Sequence, residues 1–133
     1  MRQSLISLLV LAIMLSGLSG CSSLNKPKSS FNLVTRRITV LTEPEGAEVI
    51  QLRPLGQPSI KLGNTPLNDL RVAVIVNLSL KNMPLSETQE LIQHTNSAVV
   101  KIIKDGYQPY TAIIQTTADD TAILDVKLVA KEK

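Results

Sequence analysis

Residues 70–80 read Leu-Arg-Val-Ala-Val-Ile-Val-Asn-Leu-Ser-Leu, and this stretch decides the fold class of the 133-residue chain. Every second residue from Leu70 to Leu80 is aliphatic. A period of two residues is the pattern of a β-strand whose alternate side chains enter a core. Because Ala73 and Ile75 make the second face apolar as well, we predict a long central strand that is covered on both faces.

Shorter β-branched runs lie on both sides of this strand, with turn signals between them. The turn Glu43-Pro44-Glu45-Gly46 has Pro at the second position and Gly at the fourth, which is a favoured turn pattern. Several short strands at regular spacing are typical of a sandwich. The chain is therefore predicted to be mainly β, a small β-sandwich of six to seven strands. The further strands are predicted over residues 37–42, 47–52, 59–62 (at a sheet edge), 98–104, 110–117 and 122–129.

Residues 84–95 interrupt the β pattern with a short helical signal. Ser86-Glu87-Thr88-Gln89 fits a capping box, in which the Ser86 hydroxyl accepts from the Gln89 amide and the Gln89 side chain reaches back. We predict a helix of about two and a half turns, which needs packing to persist because isolated helices of this length are marginal. Its narrow apolar stripe would consist of Leu85, Thr88, Leu91 and Ile92.

The composition narrows the classes of ligand. Hydrophobic residues make up 44% of the chain and aromatic residues only 2%, so the core is expected to be aliphatic. The formal net charge is +3, and the lysines and arginines are spread along the chain. Nucleic-acid sites usually combine a basic stripe with aromatic platforms, so no nucleic-acid partner is expected.

The amino terminus has the regions of an export signal. Arg2 supplies a positive charge, residues 5–15 are apolar apart from Ser7, and small residues follow. An apolar helix of this length spans roughly 17 Å, too short for a hydrocarbon core of about 30 Å. Residues 1–20 are therefore predicted to be a signal peptide that is removed, rather than a transmembrane helix.

Leu18-Ser19-Gly20-Cys21 resembles the lipobox of bacterial lipoproteins, which is Leu, a small residue, Gly or Ala, and then Cys. The resemblance implies that a signal peptidase recognises Leu18, Ser19 and Gly20 and cleaves before Cys21. It also implies that the Cys21 thiol carries a diacylglycerol and that the freed amino group is acylated. Cys21 is the single Cys of the chain, so no intramolecular disulfide can form. The expected partner of Cys21 is membrane lipid, and no cofactor other than this covalent lipid is expected.

The residues after Cys21 bear on location. Enterobacterial lipoproteins with Asp in the next position tend to stay in the inner membrane, and this chain has Ser22. The outer membrane, facing the periplasm, is therefore favoured, while the inner membrane and the cell surface stay open. Residues 21–35 are polar and contain Pro27, so they are predicted to form a flexible tether that holds the domain clear of the headgroups.

Three motifs in the rest of the chain, residues 36–130, occur in a fixed order. Pro44-Glu45-Gly46-Ala47 is followed by Gly63-Asn64-Thr65-Pro66 and then by Gly106-Tyr107. In this order the motifs resemble the PEGA domain family, which is named for the first tetrapeptide. The resemblance implies a compact β-sandwich of exported or surface-associated proteins, in which Pro44, Glu45, Gly46, Ala47, Gly63, Thr65, Pro66, Gly106 and Tyr107 make the fold. The long separation of Pro66 from Gly106 departs from the family and predicts a helical insertion at about residues 82–96.

Groups for catalysis or metal binding are sparse. His94 is the single His, and its position at a predicted helix end favours a solvated role over a catalytic one. A zinc site is not expected without further Cys or His ligands, and Asp119-Asp120 is interpreted as a turn. The chain is therefore not expected to be an enzyme.

Two functional hypotheses follow from these patterns. The first is a non-catalytic binding or scaffolding module, held at the membrane, whose partner is an envelope protein or a cell-wall glycan. The second is an accessory subunit of an envelope protein complex, docking through the insertion at residues 82–96, because loops carry function on rigid scaffolds. An enzyme is the least supported alternative.

Cys21→Ser is expected to leave an unprocessed precursor without lipid, because the serine hydroxyl cannot form the thioether. Metabolic labelling of cells with radioactive palmitate measures this. Label on the mutant as strong as on the wild-type protein would contradict the lipid assignment.

Overall fold

The computed structural model describes residues 28–133, which form two packed β-sheets and one short helix. The first sheet has the strand order β4-β1-β7, and the second has the order β3-β2-β5-β6. This arrangement confirms a mainly β sandwich with a single short helix between strands. The elements are β1 Lys28–Glu43, β2 Glu48–Gln51, β3 Ile60–Asn64, β4 Leu67–Lys81, α1 Leu85–Gln93, β5 Ser97–Ile103, β6 Tyr110–Gln115 and β7 Ala122–Lys127.

The alternating stretch of the sequence lies in β4, as predicted, but β4 is an edge strand of its sheet. The prediction of a central strand is therefore wrong. The apolar second face has a local cause: the chain after α1 runs along the free edge of β4. The Asn96 amide donates to the Ile75 carbonyl at 2.8 Å, and Thr95 forms a parallel bridge with Ile75. Ile75 is buried beside this connection, whereas Ala73 stays exposed.

The central strand of the first sheet is β1. It pairs antiparallel with β4 from Lys28, opposite Lys81, to Val40, and parallel with β7 from Ile38 to Glu43. The prediction that residues 21–35 form a flexible tether is therefore wrong for residues 28–35, which belong to β1. Their polar composition favours a linker, but the long run of β4 supplies backbone partners, and backbone pairing outweighs weak strand propensity.

The parallel pairing of β7 with β1 comes from the path of the chain. Strand β6 lies at the edge of the second sheet, and residues 116–121 then cross to the first sheet. Asp119 lies in this crossing, where its carbonyl accepts from the Arg37 side chain at 3.2 Å. The Asp120 amide donates to the Thr117 hydroxyl at 3.3 Å, which confirms the interpretation of Asp119-Asp120 as a turn.

The core lies between the two sheets and is aliphatic, as the composition predicted. Burial alternates along most strands, so each sheet buries one face and leaves the other more exposed. In β5 the four residues from Ser97 to Val100 are all buried. Burial of aliphatic area at about 25 cal/mol per Å² is the main term that stabilises such a fold. The buried cluster consists of Ile38, Val40, Ala47, Val49, Val72, Val74, Val76, Ala98, Val100, Ile102, Ile114, Val126 and Leu128.

The helix α1 connects the two sheets, and it confirms the predicted length but not the predicted capping box. Pro84 is the N-cap, and no side chain caps the helix. The Thr88 amide already donates to the Pro84 carbonyl at 3.0 Å, so Ser86 lies inside the first turn instead of before it. Of the four residues predicted to form the apolar stripe, only Leu91 is buried, and it packs the helix against the rest of the fold.

Ile38→Ala is expected to lower the free energy of unfolding by about 2–5 kcal/mol, because it leaves a cavity at a fully buried position of β1. Ile123 in the neighbouring strand β7 is 70% exposed, so Ile123→Ala removes the same atoms without a cavity. The control is expected to change stability by less than about 0.5 kcal/mol. Chemical denaturation measures both variants, and equal effects would contradict the assignment of the core.

Candidate functional site

Two of the sequence motifs meet at one end of the sandwich. Residues 44–47 connect β1 to β2, and residues 65–66 connect β3 to β4. Since β2 and β3 pair antiparallel with Glu48 opposite Asn64, these connections lie side by side. The Gly46 amide donates to the Thr65 carbonyl at 3.0 Å, and the Thr65 amide donates to the Ala47 carbonyl at 2.9 Å.

A chain of buried hydroxyl groups joins these connections to β1. The Thr42 hydroxyl donates to the Pro44 carbonyl at 2.8 Å, and the two hydroxyl oxygens of Thr42 and Thr65 are 2.6 Å apart. Since the single proton of Thr42 is used on Pro44, Thr65 donates to Thr42. The Ala47 amide donates to the Thr65 hydroxyl at 3.1 Å. We call Thr42, Pro44, Ala47 and Thr65 the threonine knot; its bonds are internal to the chain, so it has a structural role.

The glycines of the motifs occupy backbone conformations that favour glycine. Gly46 has φ +86°, and Gly106 has φ +82° in the connection between β5 and β6. Gly63 has φ +136°, and a Cβ atom added there would lie only 3.1 Å from the Leu67 side chain, so a larger residue is disfavoured. Glu45 and Pro66, the residue directly before β4, are both exposed, so neither contributes a buried side chain.

Gly106 and Tyr107 join the carboxyl-terminal tail to the hairpin of β5 and β6. The Tyr107 amide donates to the Lys104 carbonyl at 3.0 Å, and the Lys131 amide donates to the Gly106 carbonyl at 2.9 Å. Tyr107 is partly buried against the core and bridges Ala130. The contacts of Tyr107 are thus structural ones within the chain.

A mixed-charge groove of about 240 Å³ separates the hairpin from the threonine knot. Glu48, Lys104 and Asp105 supply charges of both signs to its walls. Glu48 also lies 3.5 Å from the Lys61 ammonium group, and the side chains of Lys61 and Glu48 are 61% and 39% exposed. Exposed ion pairs of this kind contribute little, and the opposed charges favour no single charged ligand.

A second groove, of about 210 Å³, is mostly apolar, and we call it the apolar groove. Residues of β1, β4 and the loop between β2 and β3 line it, together with His94 and Ser97. Leu33 and Ile60 keep 59% and 43% of their surface exposed on its walls, although both are large aliphatic residues. Its lining consists of Phe31, Leu33, Gln51, Leu52, Arg53, Pro54, Gln57, Ile60, Ala73, Val74, Ile75, His94 and Ser97.

The polar groups of the apolar groove are mostly neutral or already bonded. The Gln51 side-chain amide donates to the Ala73 carbonyl at 2.9 Å. Burial lowers the pKa of His94, an effect that the nearby Glu90 carboxylate partly opposes, so the imidazole is neutral at pH 7. The Ser97 hydroxyl donates to the Thr95 carbonyl at 3.1 Å, so it does not donate a hydrogen bond to His94. Arg53 is then the one formally charged residue of the lining. A lining with so little charge suits an apolar ligand group.

Sequence reasoning does not find the apolar groove. Its walls come from separate segments of the chain that only the fold brings together. Phe31 and Leu33, the two residues with the clearest signal, fall in the segment that the sequence predicts to be a tether. The apolar character of these residues within a polar segment is the available hint.

The predicted lipid site, Leu18, Ser19, Gly20 and Cys21, lies outside the described residues. Within residues 28–133, no helix is long and apolar enough to cross a membrane. In the same range, no three His, Cys, Asp or Glu residues are grouped so that they could hold a metal ion. Comparisons with protein families, curated proteins and solved structures find no significant match to the chain, so the resemblance to PEGA domains stays a prediction.

Thr65→Val is expected to lower the free energy of unfolding by about 1–3 kcal/mol, because it leaves the buried Ala47 amide without its acceptor. Thr65→Ser keeps the hydroxyl and should retain most of the stability. Thr111→Val, at an exposed position of β6, controls for the substitution itself. Denaturation midpoints measure all three variants, and Thr65→Val equal to Thr111→Val would show that the knot does not stabilise the fold.

Proposed function

We propose that the protein is a lipid-anchored envelope protein whose β-sandwich is a non-catalytic binding module. The apolar groove takes an apolar side chain from a partner protein. The observation that carries this proposal is the pair of exposed aliphatic walls, Leu33 and Ile60, facing a concave surface with one formal charge. Concave, mostly apolar sites with a few polar groups are the usual form of binding sites, and interfaces place an apolar anchor in such a pocket.

The lining of the groove favours a protein over a cell-wall glycan as the partner. Glycans present hydroxyl groups, which need several free donors and acceptors, and they stack on aromatic faces. The lining has a single aromatic residue, Phe31, and the side chains of Gln51 and Ser97 are already engaged within the chain. A leucine, isoleucine or phenylalanine side chain needs neither of these features and gains from losing contact with water.

The anchor in this proposal is the lipid on Cys21. Each methylene group buried in the bilayer contributes about 0.8 kcal/mol, so several acyl chains on one residue hold a protein at the membrane. Ser22 favours the outer membrane, with the domain in the periplasm. The groove then lies on a protein that stays at one surface, where a partner meets it at high local concentration.

The second candidate function is an accessory subunit that docks a protein through α1, within the predicted insertion at residues 82–96. Its support is the exposure of Leu85 and Ile92, at 73% and 57%. Catalysis has little support, because Ser97, the one hydroxyl-bearing residue that lines the groove with His94, donates its proton to the Thr95 carbonyl.

A photoreactive residue at Leu33 or Ile60, introduced into the full-length protein in intact cells, is expected to form a covalent adduct with one protein. Ile123, which is exposed on β7, is the control position and should give no such adduct. Ala73→Arg, which fills the floor of the groove from an exposed position, should abolish the adduct at Leu33. Thr111→Arg, on the second sheet, should not.

The identity of the adduct decides between the proposals. Glycan fragments at Leu33, or adducts that survive Ala73→Arg, would contradict binding of a protein in the apolar groove. Capture of one protein by a photoreactive residue at Leu85, with no adduct at Leu33, would support the accessory subunit that docks through α1.

A further inference from the structure

The exposed face of α1 carries no charged residue. Leu85 and Ile92 are seven residues apart, which places them on one side of a helix with 3.6 residues per turn. They are 73% and 57% exposed, and the other exposed residues of the helix, Ser86, Gln89 and Gln93, are uncharged. A helix face that only meets water usually carries charges, so this face is unusual for a solvated surface.

The acidic residues of α1 point away from this face. Glu87 and Glu90 are half-buried, and Glu87 lies next to the fully buried Leu91 on the helix surface. The Glu90 carboxylate accepts from the Leu55 amide at 2.9 Å, which holds it toward the loop between β2 and β3. The exposed face is therefore formed by aliphatic and amide groups.

Two lysines lie at the same end of the molecule as the start of α1. Lys28 begins β1 and pairs with Lys81, the last residue of β4, and both are exposed. Leu85 follows Lys81 by four residues. Lys28, the first described residue, is therefore close to Lys81 and to Leu85, the most exposed aliphatic residue of α1. Two positive charges thus lie beside an exposed aliphatic side chain.

The short connection to Cys21 keeps this end near the bilayer. Only residues 22–27 separate Cys21 from Lys28. Seven steps of about 3.3–3.6 Å span at most roughly 25 Å. The tether is thus much shorter than the one predicted from the sequence, because β1 begins at Lys28.

We propose that the exposed face of α1, with Leu85 and Ile92, lies on the surface of the bilayer, and that Lys28 and Lys81 face anionic headgroups. This inference rests on the lipid anchor of the proposed function. An interfacial helix buries aliphatic side chains at the boundary of headgroups and acyl chains, and nearby lysines are attracted to anionic lipid. The apolar groove shares β1 and β4 with the two lysines.

The chain offers a matched control at its far side. Ile123 is 70% exposed, close to the 73% of Leu85, and it pairs with Thr39 of β1. Thr39 is eleven residues from Lys28 along β1, or roughly 36 Å at about 3.3 Å per residue. Ile123 therefore has the same exposure as Leu85 without the proximity to the anchor.

The test uses the full-length lipidated protein in vesicles of phosphatidylcholine and phosphatidylglycerol. Leu85→Cys, Ile92→Cys and Ile123→Cys each carry a fluorophore; the lipid blocks the thiol of Cys21. A quencher attached to the lipid headgroup is expected to remove most of the fluorescence at positions 85 and 92 and to leave position 123 bright. Equal quenching at positions 85 and 123 would overturn the inference.

Two further outcomes separate the alternatives. If position 85 is shielded from a water-soluble quencher but is not reached by the lipid quencher, a second copy of the chain covers α1, and the inference is wrong.

Lys28→Gln combined with Lys81→Gln should weaken the lipid quenching in anionic vesicles and leave it unchanged in phosphatidylcholine alone; no weakening would overturn the role of the lysines. Because the samples are already lipidated, failure of the quenching leaves the anchor and the groove intact, whereas an absence of palmitate on Cys21 would refute the anchor itself.

Discussion

The backbone pairing of β1 is the constraint on which the rest of the structure depends. β1 is hydrogen-bonded to β4 along its length and to β7 along its second half, so it holds the first sheet together. Its inward residues Ile38 and Val40 lie fully buried in the core. Thr42, near the end of β1, forms hydrogen bonds within the threonine knot. The knot connects the turn before β2 to the turn after β3. One strand thus connects the core, the knot and the end of the chain that leads to Cys21.

The same strand positions both surfaces for which a function is proposed. The first half of β1 carries Phe31 and Leu33, which supply one wall of the apolar groove. In the proposed arrangement its first described residue, Lys28, limits the connection to Cys21 to at most residues 22–27, which would keep α1 within reach of the bilayer. The two proposals therefore describe one geometry: a sandwich held close to the membrane by its amino-terminal end, with an apolar groove that β1 and β4 line together with residues of the second sheet.

The sequence predicts the elements better than their arrangement. Alternating aliphatic residues identify β4 and the shorter strands because alternation follows directly from burying one face of a strand. The position of β4 at an edge and the parallel pairing of β7 depend on contacts between distant residues, which a local pattern does not contain. The first half of β1 escapes prediction because Ser29, Ser30 and Asn32 resemble a linker, although their backbone pairs with β4. The motifs draw attention to Gly46 and Thr65, but not to Thr42 or to the hydrogen bonds of the threonine knot. The groove is invisible in the sequence because distant segments build it.

Hydrogen exchange of the backbone amides of residues 28–36, in the lipidated protein on vesicles, tests most directly that β1 begins at Lys28. The amides that donate to β4 are predicted to exchange far more slowly than an unstructured chain, because each must first break a strand bond. Exchange of all these amides at the rate of an unstructured chain would contradict the account. The tether would then extend to residue 36, the wall of the groove would be lost, and the domain would no longer be held close to the bilayer.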